Sequence, residues 1–306
     1  MENTTDITST IINTINTIFQ NLFSSIDNNL YGILDDIVFI NEDILNDNYF
    51  QKIFGLSSSS GLLLIANALV LGFILYFAIK YFLSHISFTK IESPYQFIFK
   101  IILFGILMNF SYFLIERFLY IFSTLTLAIR SIGEDLFNTS ICFSSLITKI
   151  NSTISIETNS LDVFSLDGII KSTLSLSLLS LIFSYSFRYI LVKIFVLLTP
   201  FAFISLSLDS TSGFFRSWLK NIFSLLFIQI VVSLVLVLLF SMDYSSGNLL
   251  IKFLYVGAIY ALIKANSFVR EFIGGISTTI SQTVDKWRWF YRNLYFLKII
   301  ILNQNY

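Results

Sequence analysis

The sequence predicts an all-α integral membrane protein with about five transmembrane helices, and two observations carry this prediction. The first is the segment from Ile222 to Met242, about 21 residues without a charge. At 1.5 Å per residue it is long enough to cross a hydrocarbon layer of roughly 30 Å. The second is composition: hydrophobic residues make up 55% of the 306 residues and charged residues only 12%. Soluble domains average about 25% charged residues, so this chain cannot cover a water-facing surface.

Residues 1–60 are predicted to form an acidic, extracytoplasmic region that contains an amphipathic helix. Isoleucine and leucine recur every three or four residues between Ile11 and Ile37, with polar and acidic residues on the opposite face. The acidic face argues against tight binding to anionic lipid. Two interpretations stay open, because such a helix packs either on its own chain or on another subunit.

The transmembrane domain is predicted to occupy residues 61–269. Its five crossings are residues 61–82, 97–116, 169–190, 222–242 and 249–269. The apolar sequence of the second crossing continues to Ile129, which makes it longer than one bilayer is thick. Glu116 and Arg117 are therefore expected to mark the point where the chain leaves the membrane.

Three further segments complete the prediction. Residues 130–168 are polar and form an outer loop. Residues 194–208 are a Pro-broken inner segment, too short to cross, and Pro200 is expected to kink or end a helix; whether this segment is re-entrant stays open. Residues 270–306 form a cytoplasmic tail whose basic and aromatic residues suit a membrane surface, although the same mixture can also bind single-stranded nucleic acid.

The distribution of charge predicts the orientation, with the N-terminus outside and the C-terminus in the cytoplasm. In this arrangement every loop agrees with the positive-inside rule. The basic residues on the cytoplasmic side are Lys80, Lys90, Lys100, Arg188, Lys193, Arg216, Lys220, Lys264, Arg270, Lys286, Arg288, Arg292 and Lys298. A sixth crossing at 194–208 would place the basic C-terminus outside, so five crossings are favoured.

Polar groups within or beside the crossings are the candidate functional residues, because burying a charge in a membrane costs at least a few kcal/mol. The candidate pore or packing residues are Asn109, Tyr112, Arg188 and Lys193. For Arg188 and Lys193 the favoured interpretation is that both side chains extend to the inner phosphates, with a pore or partner role as the alternative. For Asn109 and Tyr112 it is hydrogen bonding between helices, with pore lining as the alternative.

The candidate cytoplasmic partner contacts are Arg216, Trp218 and Lys220, which lie together on a short polar elbow between two apolar segments. Trp218 between two bases is typical of the aromatic belt at a membrane interface.

Enzymatic activity is not predicted. Cys142 is the only cysteine and His85 the only histidine, which leaves no disulfide within the chain, no Cys-based metal site and no His-pair zinc motif. The sequence also lacks a Gly-rich phosphate loop and a paired acidic motif within a crossing. No cofactor and no metal are expected.

Three segments carry a resemblance to a known family. They are SPYQFIFKIILFGILMNFSYFLIERFLYI, FRYILVKIFVLLTPFAFISLSLDSTSGFFRSWLKNIFSLLFIQ and LIKANSFVREFIGGIS. The region from about Pro94 to Ser277 resembles the TrbL-like membrane proteins of Gram-positive conjugative elements. The central segment is similar in its apolar helix, its Pro-containing turn and its polar loop leading to a Trp-basic helix start.

The resemblance implies a non-enzymatic channel or scaffold subunit of a conjugative type IV secretion system, which supports transfer of DNA and protein across the cell membrane. The implied partners are other membrane subunits of that system and its ATPases, the lipid bilayer, further copies of the chain, and transiently the transferred DNA. The alternative is a small-molecule transporter or an ATPase-coupled export permease. An inverted-repeat transporter would show a matching pair of broken helices in its two halves, and the sequence shows no such pair, which argues against this alternative.

Overall fold

A computed structural model describes residues 10–18, 21, 31–56, 60–87, 92–153, 166–242 and 249–274. Within these residues every regular element is helical. The predicted tail beyond residue 274 and the loop residues 154–165 lie outside the described residues, as do residues 22–30 of the predicted amphipathic helix.

The helices fall into an N-terminal group, a hairpin and a bundle. Their bounds are α1 (10–18), α2 (Tyr31–Val38), α3 (Asn48–Phe54), α4 (Leu62–Ser87), α5 (Pro94–Asn109), α6 (Ser111–Phe137), α7 (Phe143–Thr153), α8 (Leu166–Leu197), α9 (Thr199–Ile204), α10 (Ser212–Phe240) and α11 (Leu249–Ile273). Short 3-10 segments lie at Glu42–Leu45 and Ser205–Ser207.

The centre of the fold is a bundle of α6, α8, α10 and α11. α6 and α10 run parallel, because Phe122 meets Phe223 in the first half of both helices and Gly133 lies against Val237 near their ends. The two rings of the first pair are 5.3 Å apart in edge-on geometry. Both helices therefore begin at one end of the bundle, which we call the Pro200 end.

α8 and α11 run in the opposite direction to α10. The carbonyl of Phe195, near the end of α8, accepts a hydrogen bond from Trp218, near the start of α10. Leu254 of α11 lines a groove with Leu239 of α10, at the opposite end of the bundle. α6 and α10 end at that second end, which we call the Asn138 end, and α8 and α11 begin there.

The long apolar stretch after Pro94 differs from its expected division. Sequence placed the break near Glu116 and Arg117, but these residues lie inside α6, and the helix is interrupted only at Phe110. Hydrogen bonds from Phe110 N to Ile106 O (3.0 Å) and from Leu114 N to Phe110 O (3.1 Å) continue across that residue. α5 and α6 are thus two parts of one interrupted helical rod.

α4 and α5 form an antiparallel hairpin. Asn67 near the start of α4 pairs with Asn109 at the end of α5, and the Phe77 and Phe97 rings stack at 3.8 Å further along. Ala66 belongs to one buried cluster with Ile204 of α9. The hairpin is therefore joined to the bundle at the Pro200 end.

Pro200 lies in the first turn of α9, where its missing N–H costs no helical hydrogen bond. α8 ends three residues earlier, and Leu198 forms the turn between the two helices. Sequence predicts that Pro200 kinks or ends a helix within residues 194–208. In the structure α8 ends just before it, and Pro200 lies at the start of a new short helix.

Five helices are long and apolar enough to span a membrane, which confirms the predicted multi-pass class. They are Leu62–Ile86, Ser111–Phe137, Gly168–Leu197, Ser212–Phe240 and Leu250–Ile273. The second differs from the expected 97–116, because α5 is the shorter helix of its rod.

The N-terminal part contains helices at 10–18 and at α2, whereas the apolar periodicity predicts a single amphipathic helix between Ile11 and Ile37. Ile11 and Ile18 of α1 are more than half exposed, whereas Leu34 and Val38 of α2 are buried against α7 and α8. We call residues Tyr31–Phe54, which hold α2, a 3-10 turn and α3, the N-terminal strap.

We expect the contact between α6 and α10 to be intolerant of a side chain at position 133. A Cβ atom on Gly133 would lie 2.9 Å from Val237 Cγ2 and 3.0 Å from Ile141 Cγ1, so Gly133→Leu forces the two helices apart. Overpacking of this kind costs about 1–3 kcal/mol. Thermal unfolding of the purified protein in detergent should show a lower midpoint.

Gly105→Leu is the matched control, because a Cβ at that helical glycine meets no atom within 4 Å. An equal loss of stability in both variants would contradict the packing argument.

Candidate functional site

The most deeply buried charge among the described residues is the guanidinium of Arg188, which is 0% exposed. Its Nε donates to the carbonyl of Leu225 (2.7 Å) and its Nη1 to the carbonyl of Val38 (2.9 Å). Its Nη2 donates to Gln229 Oε1 at 3.3 Å. Leu225 lies close to the midpoint of α10, so the guanidinium is held in the middle of the bundle. The sequence-based interpretation favoured a side chain that extends to the inner phosphates, and the observed contacts differ from it.

The strap explains why a cation is needed there. α2 ends at Val38 and the chain stays non-helical through Asn41, so backbone groups are left without helical partners. The Val38 carbonyl receives Arg188, and the Ile40 N–H donates to Gln229 Oε1 at 3.1 Å. Gln229 thus accepts from both the strap and the arginine, and joins α10 to each of them.

Magnitudes favour this arrangement over a simple buried charge. An arginine at the centre of a membrane helix costs about 2.5–3.5 kcal/mol on insertion scales. Each hydrogen bond to a charged group returns about 1.5–3 kcal/mol, and Arg188 makes three. The three bonds together offset the burial, and the strap supplies one of the three acceptors, the carbonyl of Val38.

A second set of polar contacts holds the strap at the Pro200 end. Tyr112 donates its hydroxyl hydrogen to the carbonyl of Leu45 at 3.1 Å, and Gln51 Nε2 approaches the same hydroxyl at 3.4 Å. Lys193 Nζ lies 3.9 Å from a carboxylate oxygen of Asp47. Two of the sequence candidates, Tyr112 and Lys193, therefore contact the same segment of the chain.

A third set lies towards the Asn138 end. The carboxylate of Asp35 accepts from the backbone N–H groups of Phe143 (2.8 Å) and Ser144 (3.3 Å), at the start of α7. The guanidinium of Arg130 lies 4.4 Å from the centre of the Phe39 ring. The strap is thus bound near the middle of the bundle and towards both of its ends.

Asn109 is separate from the strap contacts. Its Nδ2 donates to Gly105 O at 2.9 Å and approaches Asn67 Oδ1 at 3.3 Å. This is hydrogen bonding between α4 and α5, one of the two roles that sequence left open.

The predicted partner contacts divide into two kinds. Arg216 and Lys220 are exposed on the first turns of α10. Trp218 is only 5% exposed, and its Nε1 donates to the carbonyl of Phe195 at 2.8 Å. That carbonyl belongs to the last turn of α8, where helices leave acceptors unpaired. Trp218 therefore stabilises the elbow from inside, and only the two bases remain available to a partner.

Gln229 is the functional residue that sequence reasoning missed. A signal was present, because it is the single amide or acid within the otherwise apolar 222–240 stretch. A similar pair joins α8 and α11, where Asn266 Nδ2 donates to Ser184 Oγ at 2.8 Å. Polar residues in apolar membrane helices commonly form hydrogen bonds between helices.

The described residues contain no group of three His, Cys, Asp or Glu side chains that could hold a metal ion. A groove of about 440 Å³ between α4 and α5 is lined by apolar side chains, among them Phe77, Phe97 and Ile101. The chemistry of the polar site is hydrogen bonding within one chain.

Comparison with protein-family models, curated proteins and solved structures gave no match.

We expect Arg188→Met to release the strap. The Val38 carbonyl then loses its donor inside the bundle, at about 1–3 kcal/mol for an unsatisfied buried group, and the charged bonds to Leu225 and Gln229 are lost as well. Limited trypsin digestion of the purified protein should cleave faster after Lys52, which is exposed on α3.

Arg216→Met is the control, since Arg216 is an exposed residue at the start of α10. Equal cleavage after Lys52 in wild type and Arg188→Met would show that the arginine does not retain the strap.

Proposed function

We propose that the chain is a non-enzymatic membrane subunit of a conjugative type IV secretion system, in which it forms part of the channel or scaffold that supports DNA and protein transfer across the cell membrane. The observation that carries the proposal is the central unit from Phe187 to Gln229, on which the family resemblance depends. Its apolar helix, Pro200 turn and Trp-basic helix start form one connected unit, joined by the Trp218–Phe195 hydrogen bond.

The polar interior supports a structural role over solute transport by a single chain. A transporter needs polar groups that face a binding cavity near the membrane midplane. Here the hydrogen bonds of Arg188 go to the chain's own carbonyls and to Gln229, and its charge is used for folding. A permease remains the alternative that the functional assay separates.

Exposed surfaces suggest where partners bind. Arg216 and Lys220 project from the Pro200 end, which the charge distribution orients to the cytoplasm, and so suit the acidic surface of an ATPase. α4 leaves large apolar residues exposed along its length, such as Leu71, Leu75 and Phe82. This surface is available to another copy of the chain in an assembled complex.

Deleting the gene in frame should reduce mating transfer of the element to background, and supplying the gene in trans should restore it. The reason is that a channel or scaffold subunit cannot be bypassed. Transfer frequency per donor is the measurement. Unchanged transfer would remove the proposal, and solute uptake would then be measured for the permease alternative.

Charge reversal of Arg216 and Lys220 to Glu should abolish co-purification of the system's ATPases while membrane insertion stays unchanged. Asp135→Lys is the matched control, because Asp135 is an exposed charge near the opposite end of α6. ATPase recovery that stays equal in all three proteins would show that the elbow is not the docking surface.

A further inference from the structure

The α6 residues that contact the strap are spread over a length comparable to the thickness of a bilayer. Its contacts on α6 extend from Arg130, which lies over the Phe39 ring, to Tyr112, which binds the Leu45 carbonyl. These α6 residues are 130 − 112 = 18 positions apart, or about 27 Å along a helix. The hydrocarbon core is about 30 Å thick.

The strap also meets the requirements for non-helical backbone at membrane depth. Non-helical backbone is tolerated there only when protein surrounds it and satisfies its polar groups. Ile40 is 2% exposed; its N–H donates to Gln229, and the Val38 carbonyl just before the break accepts from Arg188. Opposite these bonds lies the midpoint of α10, the most apolar of the five candidate spans.

The acidic residues of the strap lie on both sides of the break: Asp35 and Asp36 precede it, and Glu42, Asp43 and Asp47 follow it. Asp35 binds the start of α7 towards the Asn138 end, and Asp47 pairs with Lys193 at the Pro200 end. Asp43 lies near the Pro200 end, where its carboxylate accepts from Asn41 Nδ2 (2.6 Å) and Asn46 Nδ2 (3.0 Å).

We propose that the N-terminal strap is itself a crossing of the membrane, interrupted at residues 39–41 and held by Arg188 and Gln229. The chain then enters at the Asn138 end and reaches the Pro200 end by residue 47. Asp47 shares one face of the membrane with Lys193 and the Arg216–Lys220 elbow, and α7 lies on the other.

This assignment changes the role of the α4–α5 hairpin. Asn67 and Asn109 pair near the Pro200 end, so the hairpin leaves that end and returns to it. α4 then makes no net crossing, although it is apolar enough to span. The strap, α6, α8, α10 and α11 make five crossings, and the two termini keep their opposite sides. Among the described residues outside the crossings, those from about 42 to 56 change side relative to the sequence prediction.

The charge rule does not oppose the change. The residues moved to the cytoplasmic side are mainly acidic, and Asp and Glu contribute little to orientation, which Lys and Arg determine. Lys52, the base in this stretch, moves to the side that the rule favours.

Thiol accessibility tests the proposal in the full-length chain, with Cys142→Ser as background. Asn48→Cys reports on the strap, and both reference positions are exposed: Ser210→Cys at the Pro200 end and Thr139→Cys at the Asn138 end. Right-side-out and inside-out membrane vesicles are treated with a membrane-impermeant maleimide. Asn48→Cys should be labelled in the same vesicles as Ser210→Cys. It should not be labelled in the vesicles in which Thr139→Cys is labelled.

Labelling of Asn48→Cys together with Thr139→Cys would overturn the proposal and return α4 to the role of first crossing. Labelling in neither vesicle, but in detergent, would also overturn it, because the proposal places residue 48 at an aqueous end. Asn46→Cys, exposed at the same end, serves if Asn48→Cys is not produced. The test does not depend on DNA transfer, so its result is separate from that of the proposed function.

Discussion

The structure depends on satisfying one interrupted stretch of backbone inside an apolar bundle. The strap leaves helical geometry after Val38, and lipid offers no hydrogen bonds to the groups that this exposes. Arg188 and Gln229 supply them from α8 and α10. Because the same two residues also bind each other, one set of contacts fixes the strap to both helices. α6 contacts the strap as well, through the hydrogen bond from Tyr112 to the Leu45 carbonyl.

Polar contacts matter more here than in a soluble bundle. Lipid tails are as apolar as leucine, so burying leucine between helices gains little transfer free energy, and close packing and hydrogen bonds decide which helices meet. Tyr185 donates to the Leu262 carbonyl at 3.1 Å and Trp218 to the Phe195 carbonyl at 2.8 Å, one on each side of Arg188 along α8. These two bonds join α8 to its neighbours, and Gly133 joins α6 to α10 by allowing the two helices to approach closely.

Sequence predicted what depends on long apolar runs and missed what depends on tertiary contacts. The helical class and α10 follow from apolar length alone. For the N-terminal helix the sequence leaves open whether it packs on its own chain or on another subunit, since acidic residues beside isoleucine give the same pattern for either partner. The position of Arg188 near the end of an apolar run favours an interfacial charge. The partner of Arg188 at Val38 is 150 positions away, and no local pattern reveals such a contact.

The occupied interior limits how the proposed secretion subunit can work. The groove between α6, α8 and α10 holds buried strap residues, including Ile44, Leu45 and Phe50, so one copy of the chain has no obvious path through that groove. A conduit for a polymer as wide as DNA is then formed between copies or between this subunit and others. The exposed apolar surface of α4 and the bases of the elbow are available for such assembly, whereas Arg188 is committed to the fold. Under this function, pore-lining residues belong to helix faces that a single chain leaves uncovered, and the buried polar residues keep those faces in register.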